Sequence, residues 1–371
     1  MGKVNRLNRY NQTAAFAACE WSSMGLPDAS DSRLATLTRW VVDDLGFSDS
    51  RIEPASADAS FRRYFRITRG ADACIVMDAP PDKENVAPFV SVAHALAGMN
   101  LNVPLVLARN VSQGLLLLSD LGSRQYLDEL TADREVDRLY ADALEALVRM
   151  QTAGDAAARS LPPYDRELLL REMRLFPEWF LGRHLGIAPG QGRGLLDRLF
   201  DVLARAALSQ PATFVHRDYH SRNLLLTAER NPGILDFQDA VRGPITYDAV
   251  SLLKDCYIAW PPQRVQGWVL GYRERLESAG MGVGADAAEF LRWFDLMGLQ
   301  RHIKVLGIFA RLYYRDGKRG YLKDLPRVLD YTRATAAAHP ETAEFADFLT
   351  THVDAAFAAA QARVGESSVT P

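Results

Sequence analysis

The sequence predicts an α+β fold in two lobes, a small β-rich lobe followed by a larger helical one. Three observations carry that expectation. Between residues 51 and 118, short apolar segments alternate with turn residues and are interrupted by one helical stretch. From Asp133 onward, apolar residues recur at helical spacing over 133–153, 165–184, 192–208, 247–259, 262–279, 286–313 and 341–362. Only 213–242 departs from that rhythm, with short apolar pieces set between polar loops. A chain of 371 residues, 48% of them hydrophobic, has ample material for such a core.

Taken in order, the elements begin late. Met1–Asn11 is basic, but the apolar stretch after it is too short and broken for a signal-peptide core. Arg6 stands where an N-myristoylation signal needs Ser or Thr. Residues 1–28 therefore read as a loosely held extension without a targeting signal, and Met24 as an alternative start. Ser30 or Asp31 then caps a helix carried by Leu34, Leu37, Val41 and Leu45 and closed by Gly46. Phe61–Thr68 alternates aromatic and basic residues as a half-buried strand does, and Cys74–Met77 is a short buried strand stopped at Pro80-Pro81. A helix over 86–99 and a strand pair at 105–109 and 114–119 complete the small lobe. With a hinge near Ser119–Gly122, the division is an N-lobe over 29–121, a C-lobe over 122–362 and a tail over 363–371. Phe176, Trp179 and Phe180, at helical spacing, read as core.

Composition excludes several classes. Lys+Arg 43 against Asp+Glu 46 gives a net charge of −3, so no global basic field favours nucleic acid. Mean hydropathy is −0.13, and no apolar run approaches the roughly 20 residues needed to cross a bilayer. Three cysteines, far apart and without Cys-x-x-Cys spacing, fit a reducing cytoplasm. No obligatory protein partner is implied. No Gly-x4-Gly-Lys-Ser/Thr and no Gly-x-Ser-x-Gly occur, which disfavours a P-loop enzyme and an α/β-hydrolase. His216 and His220 have zinc-like spacing, but the His-Glu-x-x-His glutamate and an obvious third ligand are missing.

The densest chemistry lies in Phe214-Val-His216-Arg-Asp218-Tyr-His-Ser-Arg-Asn223, followed by Gly233-Ile-Leu-Asp236-Phe-Gln-Asp239. His-x-Asp-x4-Asn is the catalytic-loop spacing of phosphoryl-transferring kinases. In that chemistry an Asp carboxylate accepts the hydroxyl proton and aims the attacking oxygen. An amide oxygen five residues on and a second carboxylate after a short hairpin hold the ions that bridge the phosphates.

These stretches resemble the aminoglycoside phosphotransferase-like kinases, a small-molecule branch of the protein-kinase fold, over about Ala55 to Leu325. Gly243-Pro-Ile-Thr-Tyr-Asp248 adds a third matching stretch. The resemblance implies a protein-kinase-like two-lobe fold with its active site in the cleft, and ATP and Mg²⁺ as cofactors. It implies Asp218 as catalytic base, Asn223 and Asp236 as metal ligands, and His216 and Asp248 as struts of the catalytic loop. Ala57–Arg66, Val76–Pro81 and Gln300–Gly307 resemble most closely the anomeric N-acetylmuramate/N-acetylglucosamine kinases of cell-wall recycling. Such enzymes phosphorylate the C1 hydroxyl of an amino sugar.

Two features depart from the protein-kinase pattern. The third strand, Cys74–Asp78, has no lysine for the phosphates, and the phosphate loop Ala55–Ser60 has no glycine. Arg62 or Arg63 is the expected substitute, and fold analogy adds Ser60, Met77, Ser119, Asp120 and Leu121 around the nucleotide. On the acceptor side, Asp239 is a candidate. Residues 301–333 hold nine basic residues against three acidic ones, and Arg301, Lys304, Arg311 and Arg315 fall within roughly 80° on a helix. Arg301 and Lys304, at one end of this stripe, are expected to hold the lactyl carboxylate of N-acetylmuramate. An aminoglycoside or small-alcohol phosphotransferase is the alternative within the class. A polycation wants an acidic acceptor site, whereas residues 251–371 carry a net charge of +1 (15 basic against 14 acidic residues). An inactive nucleotide-binding module is the alternative outside the class, supported only by the missing lysine.

Overall fold

The computed structural model describes residues 31–57, 61–133 and 135–366. The chain divides into two compact units, one taking residues up to Ala87 together with Pro104–Asp120, the other Pro88–Val103 and everything from Leu121. The expected 1–28 extension and the last five residues of the tail lie outside the described residues.

In the first unit, helix α1 (Ser32–Arg39) is capped by Asp31, whose carboxylate accepts the amides of Arg33 and Leu34. It runs on through a wider turn, Trp40–Asp44, before Gly46 at φ +74° turns the chain away. The sheet is antiparallel in the order β1-β2-β3-β5-β4, built from β1 (Arg51–Ala57), β2 (Arg63–Arg69), β3 (Asp72–Asp78), β4 (Val106–Asn110) and β5 (Leu115–Ser119). Leu37, Trp40 and Val41 pack on Phe65, Ile67, Cys74, Val76, Leu115 and Leu117, so the alternation along β2 turns its apolar residues toward the helix. The expected phosphate loop is corrected here. Ala55–Ala57 are strand, the end of edge strand β1, where Pro54 is tolerated beside a bulge.

The second unit opens with α2 (Ala87–Gly98), whose Phe89 ring lies 4.9 Å from Phe237. Around it stand α3 (Tyr126–Thr131), α4 (Val136–Ala153), α5 (Asp155–Ala158), α6 (Arg166–Met173) and a π-helical segment, Phe176–Leu185. Then come α7 (Arg193–Leu208), α8 (Tyr247–Leu253), α9 (Pro262–Ser278), α10 (Ala287–Asp316), α11 (Leu325–Ala338), α12 (Ala343–Phe348) and α13 (Asp354–Glu366). Two small ladders interrupt them: β6 (Ala212–Val215) with β9 (Val241–Pro244), and β7 (Leu224–Leu225) with β8 (Gly233–Ile234). The axis of the unit is α10, capped by Asp286 and ended by Gly317 at φ +68°. At Gly307 a Cβ would sit 2.4 Å from the Leu175 carbonyl carbon, so α10 packs backbone to backbone on the turn after α6. Phe176 and Phe180 are fully buried and stacked 5.4 Å apart, while Trp179 is half-buried.

This core buries imidazoles. Burial pushes His184 and His216 down to about 4 and His302 to about 3, while it pushes the Asp248 carboxyl up to about 7. Between pH 6.5 and about 4, the unfolded chain protonates three imidazoles that the folded chain keeps neutral. The folded chain keeps one carboxyl proton that the unfolded chain releases. Over these four groups the unfolded state is two protons ahead, and burial lowers His220 in the same sense, so stability falls on acidification by on the order of 3 kcal/mol per pH unit or more. Thermal unfolding followed across this window should show that loss, and a flat profile would mean that the imidazoles are hydrated.

Candidate active site

β6 runs buried into the loop 216–223, and that loop is shaped by side chains that hold its backbone. Arg217 sits at φ +76°, a left-handed conformation that costs a bulky residue about 1–2 kcal/mol. Asp248, fully buried on α8, offsets the cost: its two oxygens accept the amides of His216 at 2.7 Å and Arg217 at 3.0 Å. His216 is equally buried. Its Nδ1 accepts the Asp218 amide at 3.2 Å and its Nε2 faces the Leu235 carbonyl at 2.9 Å. An amide N–H can only donate and a carbonyl only accept, so the ring carries its proton on Nε2 and is neutral. At the far end, buried Asp255 accepts the Ser221 amide at 2.9 Å and the Tyr257 amide at 2.9 Å. Between these grips the loop closes on itself, since the Asp218 carbonyl accepts from the His220 amide at 3.1 Å and from Asn223 Nδ2 at 2.9 Å.

The short hairpin β7–β8 returns Asp236 to this loop at φ +60°, with its Oδ2 3.3 Å from Asn223 Nδ2. Gln238 Nε2 donates to Asp236 at 2.8 Å and to the exposed Asp239 at 3.3 Å. The structure thus brings Asp218, Asn223 and Asp236 together, with the His216 ring and the Asp248 carboxylate holding the loop's backbone.

Beneath Asp218 lies a buried cluster of charge. Arg301 on α10 places Nη2 4.0 Å from the Asp218 carboxylate, and its Nη1 donates to the Arg217 carbonyl at 2.9 Å and the Tyr247 hydroxyl at 3.0 Å. Lys304 reaches the same hydroxyl at 3.0 Å and Glu172 at 2.9 Å. Glu172, on α6, also takes the Arg217 guanidinium and the Tyr164 hydroxyl. Burial pushes the Asp218 carboxyl up, but Arg301 and Lys304, with His220 and Arg217, outweigh it and hold the group below its ordinary range. Burial likewise raises Glu172, and Lys304 and Arg217 overcome it. Asp218 is therefore a carboxylate, 40% exposed, at a floor otherwise out of water.

Arg301 and Lys304, expected to hold the lactyl carboxylate, are drawn into this cluster. They are 4% and 6% exposed and committed to Tyr247, Glu172 and the Arg217 carbonyl. Glu172, Tyr164 and Asp255 escaped the sequence reading. A signal existed for the first, because Glu172 falls in the buried stripe of Leu169, Met173 and Phe176, where a carboxylate needs a partner.

The phosphotransferase enzyme family matches this chain over residues 51–294, which carry every element of the loop and hairpin just described. The chain belongs to that family. Among relatives, the N-acetylmuramate/N-acetylglucosamine kinase of Pseudomonas aeruginosa is 48% identical over 332 residues, 86% of this chain and 97% of the relative. The kinase of the same name from Neisseria meningitidis is 45% identical over 84% of this chain and 93% of its own length. Among solved structures, an aminoglycoside 2′-phosphotransferase in complex with GDP superposes with a TM-score of 0.57 at 15% identity, covering 82% of this chain and 98% of that one. An ethanolamine kinase from Plasmodium vivax does so with a TM-score of 0.56 at 10% identity, covering 80% and 85%. At those identities the likeness is one of fold, and it is the kinase-like α+β fold expected from the sequence.

A phosphotransferase of this family must also hold a nucleotide, and the expected residues meet different fates. Ser60 lies outside the described residues. Arg63 is taken up within the first unit: Asp31 and Asp78 both bind its guanidinium, and Asp78, fully buried, accepts from Arg33 as well. A carboxylate buried there needs both cations, so of the two expected substitutes for the strand lysine, Arg62 or Arg63, the second is already engaged by two carboxylates. Arg62 is buried, with Nε 3.6 Å from Glu84. Met77 is buried in β3, Ser119 Oγ accepts the Leu105 amide, and Asp120 holds Arg66 through both oxygens. Leu121 belongs to the second unit, where it approaches Gly233. For a cation, Asp236 offers its carboxylate and Asn223 the amide oxygen left over once its Nδ2 donates to the Asp218 carbonyl and to Asp236. That hard-oxygen pair fits an ion of the magnesium type, which takes one or two carboxylates and leaves its other positions to phosphates and water.

Proposed function

We propose that the chain is a cytoplasmic, ATP-dependent kinase that phosphorylates the anomeric C1 hydroxyl of N-acetylmuramate and N-acetylglucosamine. What carries the reading is the assembled Asp218–Asn223–Asp236 constellation, in a chain 45–48% identical over most of its length to kinases named for those two sugars. In the reaction, Asp218 accepts the proton of the C1 hydroxyl as its oxygen bonds to the γ-phosphorus, and ADP leaves. Arg301 and the cluster below keep that carboxylate ionised. Asn223 and Asp236 would hold Mg²⁺, which when bound would supply positive charge to neutralise the phosphates. Residues 29–121 are assigned the nucleotide, with Ser60, Arg62, Met77, Ser119, Asp120 and Leu121 in contact, and 122–362 the acceptor, with Asp239 at its edge.

The test is ATP consumption by the purified protein with both amino sugars, choline-like alcohols and aminoglycosides, the product identified by phosphorus NMR. Formation of a sugar 1-phosphate from the two N-acetyl sugars is the expected result. Turnover confined to aminoglycosides or simple alcohols, or nucleotide binding without turnover of any acceptor, would overturn the proposal.

A further inference from the structure

The two proposed acceptors differ by one ionised group. N-acetylmuramate carries a lactyl ether with a carboxylate, and N-acetylglucosamine does not. A kinase that accepts the acid needs a cation with unspent hydrogen bonds on the acceptor side. Arg301 and Lys304 are committed internally, and the catalytic loop supplies another candidate.

Arg222 lies between Ser221, whose amide Asp255 holds, and Asn223, which is bonded to Asp218, His220 and Leu235. Its main chain is therefore as fixed as that of the catalytic residues. Its half-buried side chain lies over the Tyr257 ring, with Cζ 3.6 Å from the centroid. That ring is itself held, by the Tyr257 amide on Asp255 and by an edge contact with His220 at 5.4 Å. Stacking engages the flat face of a guanidinium and leaves its N–H edge unused. Among the described residues no carboxylate lies within 4.0 Å of Arg222, and its guanidinium donates no hydrogen bond. The loop's other cation, Arg217, has its guanidinium on Glu172. Arg222 precedes Asn223, whose side chain bonds the Asp218 carbonyl, and the Tyr257 ring beneath it meets His220 edge-on, so the guanidinium leaves the same turn of chain as the base.

We infer that Arg222 recognises the lactyl carboxylate of N-acetylmuramate, taking it by two parallel N–H···O bonds while its plane stays stacked on Tyr257. This specificity-determining role rests on the sugar-kinase reading. If wild-type protein phosphorylates neither sugar, that reading fails first and on its own.

The test compares wild type, Arg222→Ala and Arg222→Lys on three acceptors: N-acetylmuramate, its lactyl methyl ester and N-acetylglucosamine. A charge-assisted pair lost from a bound carboxylate should lower the preference for N-acetylmuramate over N-acetylglucosamine, in kcat/KM, roughly ten- to a hundredfold, mainly through KM. The ester, which has no charge to lose, should respond to the substitutions as N-acetylglucosamine does. Arg222→Lys should recover only part of the preference, because an ammonium cannot present a planar fork. Parallel losses on all three acceptors would overturn the inference and make Arg222 a support of the loop. A rise in KM for ATP alone would overturn it in favour of a nucleotide phosphate, and no change anywhere would leave Arg222 a solvated cover of Tyr257.

Discussion

Asp218→Asn is expected to lower kcat by about 10²–10⁴-fold while nucleotide affinity and unfolding temperature stay near wild type. The amide has the shape of the carboxylate, and its oxygen can still face the Arg301 guanidinium 4.0 Å away. It cannot take a proton from a sugar hydroxyl. The backbone grips of Asp248 and Asp255 do not involve the Asp218 side chain, so the loop should hold its shape. The cations below the native carboxylate hold it ionised, so the acid limb of kcat/KM against pH should lie below the ordinary carboxylate range in wild type and disappear from the variant. Purified variant turning over near the wild-type rate would remove Asp218 from the role of base.

Asp236→Ala should cost about 10³-fold or more, for a different reason. On the proposed reading, Asp236→Ala takes away a carboxylate that would hold Mg²⁺ against the phosphates, and each such element of electrostatic stabilisation is worth about 10²–10³-fold or more. Asp236 sits at φ +60°, where Ala is less at ease than Asp or Asn, so Asp236→Ala adds backbone strain to the lost charge. Asp236→Asn removes the charge and keeps the conformation. Both variants should need more Mg²⁺ for half-maximal rate, measured by titration at fixed ATP. An unchanged Mg²⁺ requirement in Asp236→Asn would take the residue out of the metal site.

The parts of this site legible from the sequence were those that chemistry ties to short spacing. Asp218, Asn223 and Asp236 stand close together in the chain, with a two-strand hairpin as the only intervening structure. Elements with strong periodicity, such as α4, α7 and α10, fell within a few residues of their expected ends. Helix α11 was passed over because Pro326 opens it and its charges merge with those of the basic run from 301. Glu172 and Arg301 meet the loop from 45 and 84 residues away, and no local rule couples such positions. Helical spacing puts the basic residues of α10 on one stripe, with Arg301 and Lys304 at the end expected to meet the substrate. The packing of Gly307 on Leu175 instead draws that part of the helix inside, so Arg301 and Lys304 required partners that a helical wheel does not show.

Asp248 and Asp255 hold the catalytic loop by its amides, a handle that every residue except proline carries. The identities of the side chains at 217, 220 and 222 are therefore not what gives the loop its path. A substitution at 222 is therefore expected to leave Asp218 and Asn223 where they stand. The path of these eight residues is set through their main chain, while what they do is left to their side chains. An enzyme built this way can acquire a new acceptor by single steps, each starting from a working catalyst.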